Sequence, residues 1–184
     1  HRVVVEIDEY TLFPVWCVQN GTVCHVLAQG CIGRTIDPAS EVVQQNPFLI
    51  IHDVGHDTVA EGMCLIAPED VERVAYVGRE LVYALDTRIV QSYTVDFRGS
   101  REVTYTTDEG WTIVTDMARD VDATLATARL FMTTVMSAYN RSDLVSVDLR
   151  FPEKIFYKMK NMPAEQAEVV VPSPENAAQA PTTP

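Results

Sequence analysis

The sequence predicts an α+β fold, in which a curved, mainly antiparallel sheet carries two helices on one face and a C-terminal β-hairpin forms a sheet edge. Three observations lead to this prediction. Short runs rich in β-branched and aromatic residues occupy much of the chain. Two longer segments instead repeat apolar residues at helical spacing. Short turns separate the strand-like runs between and after these segments, an order typical of helices packed against antiparallel strands.

The N-terminal part predicts short strands. Gly21 and Gly30 mark turns on either side of one β-rich run, and residues 35–47 are polar with two prolines, which predicts a loop. The strands expected in this part are residues 3–8, 12–18, 22–28, 48–54 and 63–66.

Two segments predict helices. The first begins at Pro68, a residue suited to the first helical turn, and the acidic Glu69 and Asp70 complement the helix N-terminus. Its apolar positions are Val71, Val74, Ala75, Gly78, Leu81, Val82 and Leu85. The second segment spans residues 120–139, starts at the acidic Asp120 and repeats the same period.

The remaining strands predict a meander and a terminal hairpin. Residues 88–97, 102–106 and 111–115 are expected to form three antiparallel strands. Residues 144–160, LVSVDLRFPEKIFYKMK, form two alternating runs around a Pro-containing turn and hold every lysine of the chain. Residues 161–184 are rich in Pro, Ala and Glu and have no basic residue, which predicts a disordered tail.

Composition excludes several classes of function. A chain of 184 residues with 47% hydrophobic content is long enough to bury a core. Its 14 basic and 26 acidic residues give a net charge of -12, which argues against nucleic-acid binding because neutralising phosphates needs a clustered basic surface. The sequence contains no run of about 20 apolar residues, so it predicts no membrane-spanning segment.

Four cysteines allow two interpretations. Cys17, Cys24 and Cys31 lie close together around a predicted hairpin, and Cys64 lies farther along the chain. In an oxidising compartment Cys17 would form a disulfide with Cys24 or Cys31. Small buried thiols are equally compatible with the spacing.

Several motifs resemble the extracytoplasmic β domain of the bacterial cell-division family FtsQ/DivIB. The stretch VVVEIDEYTLFPVW is similar to the family's opening strand, with Glu9, Pro14 and Trp16 at matching positions. VCHVLAQG and TTDEGWTIV resemble a Gly-turned strand and a meander turn of the family, and SVDLRF at 146–151 is the most specific match. The resemblance implies the end of a POTRA-like module at residues 1–17 and the β domain at 18–160, before the tail. The cysteine cluster is not a general family feature.

The resemblance implies a scaffold without catalysis or cofactor. Family members lie on the outer face of the cytoplasmic membrane at the division septum, so a single-pass anchor is expected upstream of residue 1. They hold FtsB/DivIC-type and FtsL-type coiled-coil proteins, and the partner adds a strand to the edge formed by the last strand. That edge corresponds here to residues 154–160, with Arg150 and Phe151 at the end of the preceding strand.

Alternation along this last strand predicts which side chains face a partner. The outward positions are Lys154, Phe156, Lys158 and Lys160, and the core-facing ones are Ile155, Tyr157 and Met159. Lysines discourage indiscriminate pairing and suit an acidic partner, which Phe156 is expected to anchor. The expected partner-binding residues are therefore Arg150, Phe151, Lys154, Ile155, Phe156, Tyr157 and Lys158. In an alternative interpretation the lysines only protect the edge, and Phe156 packs on the second helix near Tyr139.

The sequence leaves two other functions open. The sequence His52-Asp53-Val54-Gly55-His56-Asp57, with His25, contains metal-ligating types and suggests a metal-dependent hydrolase. A strand-like run broken by Gly55 does not place the histidines on one side, so a polar turn is the default interpretation. A POTRA-type secretion chaperone domain would require a complete POTRA module upstream and a barrel downstream.

Overall fold

The computed structural model describes residues 14–44, 50–96, 101–152, 154–161 and 167–170, and its fold is α+β, as predicted. The strands are β1 (Val15–Val18), β2 (Val23–Ala28), β3 (Cys31–Ile36), β4 (Ile50–Asp53), β5 (Ile89–Asp96), β6 (Glu102–Thr107), β7 (Thr112–Asp116), β8 (Leu144–Asp148), β9 (Lys154–Met159) and β10 (Ala167–Val170). The helices are the single turn α1 (Glu41–Gln44) and the longer α2 (Pro68–Ala84) and α3 (Val121–Thr134).

The described strands pair in the order β10-β9-β8-β7-β6-β5-β4-β1-β2-β3. The pairings β1–β4, β4–β5 and β7–β8 are parallel, and the other six are antiparallel. Strands β5, β6 and β7 form the predicted meander, and β8 with β9 forms the predicted hairpin. The parallel contacts arise where a helix returns the chain to the sheet, as between β4 and β5 or β7 and β8.

Both long helices pack on one face of this sheet. Residues that face each other across neighbouring strands, such as Tyr105, Ile113 and Val147, are fully buried in one core cluster with α2 and α3. The Tyr105 hydroxyl donates a hydrogen bond to the Val74 carbonyl at 3.1 Å, which joins the sheet to α2. Successive side chains of a strand point to opposite faces of the sheet, and one face is buried against the helices. This burial holds β9 in position.

The helix starts follow the sequence signals, but α3 ends earlier than predicted. Asp120 accepts a hydrogen bond from the Ala123 backbone N–H at 2.8 Å and so caps α3. The helix ends at Thr134 rather than near residue 139. The Thr133 and Thr134 hydroxyls both donate hydrogen bonds to the Leu130 carbonyl. These side-chain bonds compete with the backbone hydrogen bonds that would continue the helix.

Two local predictions in the N-terminal half are wrong. The composition of residues 35–47 predicts a loop, yet β3 extends to Ile36 and α1 forms one turn from Glu41. β3 forms because it pairs with β2 across the turn at Gly30. Residues 63–66 form no strand and contribute an isolated bridge between Cys64 and Cys31.

The predicted boundaries of the domain also change. The division after residue 17 falls inside β1, which lies between β2 and β4, so Trp16 and Cys17 belong to the same sheet as the rest. The tail predicted at 161–184 contains β10, which pairs with β9. A run of β-branched valines there offers strand propensity, and the neighbouring strand supplies the hydrogen-bonding partner. The strand predicted at 3–8 lies outside the described residues, as do the tail residues other than Asn161 and β10.

Candidate functional site

Side chains of β9 alternate as predicted. Ile155, Tyr157 and Met159 are at most 5% exposed, whereas Lys154 and Lys158 are exposed. Phe156 is half-buried on the outward side. The core-facing residues hold the strand in place, and the outward ones lie on the opposite face of the sheet.

Phe156 packs on the preceding turn and not on the helix. Its ring meets the ring of Phe151 edge to face, with 5.1 Å between centroids. Phe151 is 41% exposed, so the pair presents an aromatic surface beside the lysines. Tyr139 instead contacts Tyr157, at 6.2 Å between ring centroids. We refer to Phe151, Lys154, Phe156 and Lys158 as the β9 surface.

Arg150 contacts the Phe151 ring of the β9 surface and two carboxylates. Its guanidinium Nη2 donates a hydrogen bond to the Asp148 carboxylate at 2.6 Å, and its Nη1 forms an ion pair with Glu102 of β6. Its Cζ lies 5.5 Å from the centre of the Phe151 ring. Burial raises the pKa of Asp148, while the Arg150 backbone N–H partly opposes this. Arg150 therefore contacts Phe151 while two carboxylates compensate its charge.

Tyr157 belongs to the core, although it was expected among the partner-binding residues. It is 5% exposed, and its ring centroid lies 5.8 Å from that of Phe131 in α3. Burial raises the pKa of its hydroxyl, and hydrogen bonding to Tyr139 adds to the shift. Ile155 is likewise fully buried, so both residues position the strand and offer a partner only their backbone.

The outer edge of β9 is occupied by β10, so the prediction of an open C-terminal edge is wrong for the described structure. The two strands are antiparallel, and Phe156 stands opposite Glu168 in the register. Lys154 stands opposite Val170, and Tyr157 opposite Ala167. Glu168 thus takes a position flanked by two lysines of β9. The sequence reasoning missed β10, although the run AEVVV was a usable signal of strand propensity.

The three predicted histidines do not converge. His52 and Asp53 lie on opposite faces of β4 because successive strand residues alternate. His25 is the register partner of Trp16, and its Nδ1 lies 3.4 Å from the Thr35 hydroxyl. Among the residues that the structure describes, no group of three His, Cys, Asp or Glu side chains is arranged to hold a metal ion.

Asp53 instead closes a buried turn. Its carboxylate accepts hydrogen bonds from the Trp16 indole N–H at 3.1 Å and the Gly55 backbone N–H at 2.6 Å. The His56 ring nitrogen Nδ1 lies 2.7 Å from the same carboxylate. This network ties the end of β4 to β1, which is the predicted polar turn in a structural role.

His52 packs tightly on the opposite face. A Cβ placed at Gly21 would lie 2.8 Å from the His52 ring, and Gly21 has a φ of +84°, so a larger residue would be strained there and would displace the ring. Burial lowers the pKa of His52 below its usual value of 6.5. Burial therefore favours the neutral form of the ring.

The cysteines form two disulfides, Cys17–Cys24 and Cys31–Cys64. The first joins register partners of β1 and β2, one of the pairings that the spacing predicted. The second joins β3 to the loop before α2, and Cys31 therefore does not pair with Cys17. Cys64 was too far along the sequence for its partner to be identified without the tertiary structure.

No protein-family model matches this chain, and neither does any curated protein. None of the helices in the described parts of the chain is long and apolar enough to cross a membrane.

Proposed function

We propose that this protein is a non-enzymatic scaffold that binds an extended, acidic partner segment by strand addition along β9. In this proposal the β9 surface recognises side chains of the partner, while the β9 backbone supplies hydrogen bonds. The curvature of the sheet and the role of the β8–β9 hairpin as its functional edge are part of the proposal.

The observation that carries the proposal is the pairing of β10 with β9. It supports the proposal because β10 is itself an extended segment with an acidic residue, Glu168, at the position opposite Phe156. Opposite charges at diagonal positions on one face of an antiparallel pair are favourable. A partner strand of the same chemistry would meet the same lysines.

The resemblance to the FtsQ/DivIB family supplies the proposed biological role. We place the chain on the extracytoplasmic face of the cytoplasmic membrane, at the division septum. Its proposed partners are FtsB/DivIC-type and FtsL-type proteins, which it would link to other division proteins. The motif SVDLRF ends at Phe151, so the most family-specific stretch contributes one residue of the proposed binding surface.

A calorimetric titration tests this role. The intact chain is titrated with the membrane-distal segment of an FtsB/DivIC-type protein from the same organism, and compared with Phe156→Ala. Tyr83→Ala is the matched control, because it also removes an aromatic ring but lies 75% exposed on α2. We expect binding that Phe156→Ala weakens at least tenfold and Tyr83→Ala leaves unchanged.

Two results would reject the proposed role. Equal weakening by both variants would show that Phe156 has no specific part. No binding by the folded chain, either intact or with β10 released as described below, would reject the partner.

A further inference from the structure

The residues of β10 match β9 position by position. Ala167 and Val169 stand opposite the core-facing Tyr157 and Ile155. Glu168 stands opposite the outward Phe156, between Lys154 and Lys158 along the neighbouring strand. β10 thus places apolar residues opposite the core-facing positions of β9 and an acidic residue opposite an outward one, in a region of the chain that contains no basic residue.

The short tether makes this pairing effective. Five residues, 162–166, separate β10 from Asn161. A short linker holds a segment near its site at an effective concentration on the order of millimolar, which favours pairing even when the intrinsic affinity is low. Because β10 has four residues and β9 is the one described strand with which it pairs, its intrinsic affinity is expected to be low.

We propose that β10 is an internal competitor, which a partner segment must displace to reach β9. This inference rests on the proposed function and adds its regulation and the chemistry of its ligand. The ligand is an extended peptide with small or β-branched apolar residues at alternate positions and an acidic residue between them. In the absence of the ligand, β10 supplies the hydrogen-bonding partners of the β9 edge.

The test uses a fluorescent peptide that copies residues 163–172 of this chain, PAEQAEVVVP. Its affinity is measured by fluorescence anisotropy for the full chain and for Glu168→Lys, which places a third lysine beside Lys154 and Lys158. Glu175→Lys is the matched control, because it makes the same charge change in the same tail outside β10. The thermal melting temperature of each protein checks that it is folded.

Glu168→Lys is expected to bind the peptide at least tenfold more tightly than the native chain and Glu175→Lys. In those two proteins β10 occupies β9 and reduces the fraction of molecules that can bind the peptide. Val169→Pro is a second variant, because proline removes a backbone donor from β10 without changing charge. It is expected to raise the affinity similarly. A peptide with lysine in place of the residue corresponding to Glu168 is expected to lose the binding.

Equal affinity of the peptide for all four proteins would overturn the inference. So would equal affinity of the FtsB/DivIC-type segment for the intact and Glu168→Lys chains, because a segment that binds without displacement gains nothing from release of β10. That second result would leave the proposed partner in place. Peptide binding by the Glu168→Lys chain, with no binding of the division-protein segment, would instead support β10 as the internal occupant and reject the partner.

Discussion

Adjacent aromatic residues of β9 are expected to respond very differently to truncation. Tyr157 is 5% exposed and contacts the rings of Phe131 and Tyr139, whereas Phe156 is half-buried against Phe151. Tyr157→Ala would leave a cavity between the sheet and α3. Phe156→Ala would remove a surface contact and leave no enclosed space.

The two losses can be estimated from burial. Replacing a fully buried aromatic residue with alanine costs about 3–5 kcal/mol, which we expect for Tyr157. Half the burial of a phenylalanine side chain contributes about 1 kcal/mol, and the edge-to-face pair with Phe151 adds roughly 0.5–1 kcal/mol. We therefore expect Phe156→Ala to cost about half as much as Tyr157→Ala, or less.

Urea unfolding without reductant measures both values, with the far-ultraviolet circular dichroism signal as the readout. For a chain of this length each kcal/mol shifts the melting temperature by about 2–4 °C, so thermal melting gives an independent check. Tyr157→Phe is the control that keeps the ring and removes the hydroxyl, and it should cost far less than Tyr157→Ala.

Equal free-energy losses for Phe156→Ala and Tyr157→Ala would refute the assigned facing of β9. A larger loss for Phe156→Ala would do so even more strongly. In either case the strand would be out of register by one residue, because a shift of one exchanges the two faces.

Three further predictions concern other parts of the fold. Since burial depresses the pKa of His52, its neutral form favours folding: this stability is present above pH 6.5 and is lost as the pH falls through the lower folded pKa. The melting temperature of the native chain should therefore fall more than that of His52→Gln between pH 7 and pH 5, and parallel curves would contradict this. Removing the Cys31–Cys64 disulfide, which spans 33 residues, should cost about 4 kcal/mol against about 2 kcal/mol for Cys17–Cys24, which spans 7, if loop entropy dominates. Urea unfolding of the two double-alanine variants measures this, and the opposite order would show that burial of the Cys17–Cys24 pair outweighs loop length. Gly30→Ala should be much more destabilising than Gly110→Ala, because a Cβ at Gly30 would lie 1.8 Å from the Ile66 carbonyl oxygen while none at Gly110 meets an atom within 4 Å. Both glycines have positive φ, so comparable melting temperatures would mean that the loop at Ile66 moves aside.

Local sequence signals predicted those elements whose residues carry their own pattern. The periodicity of α2, with Pro68 at its start, and the alternation of β9 were sufficient because one face of each element must be buried. The meander followed from its turns. By contrast, β3 and β10 are short, and each forms beside a neighbouring strand that supplies its hydrogen-bonding partners.

In the candidate site too, local sequence predicted some features and the tertiary structure decided the others. Sequence alternation predicted that Phe156 and the lysines face outward, but not that Phe151 would hold the Phe156 ring. Nor did it predict that Arg150 would be placed between Asp148 and Glu102, since Glu102 lies on β6. Histidines close in the sequence suggested a cluster, yet the pleat of β4 places His52 and Asp53 on opposite faces.

The sequence by itself determined the α+β class, the two long helices, the meander and the facing of β9, because these depend on periodic burial within a single segment. Only the tertiary structure decided the partner of Cys64, the separation of the histidines and the occupation of the β9 edge by β10. These features depend on which distant segments become neighbours. That choice is set by the packing of the whole sheet and is not contained in any local pattern.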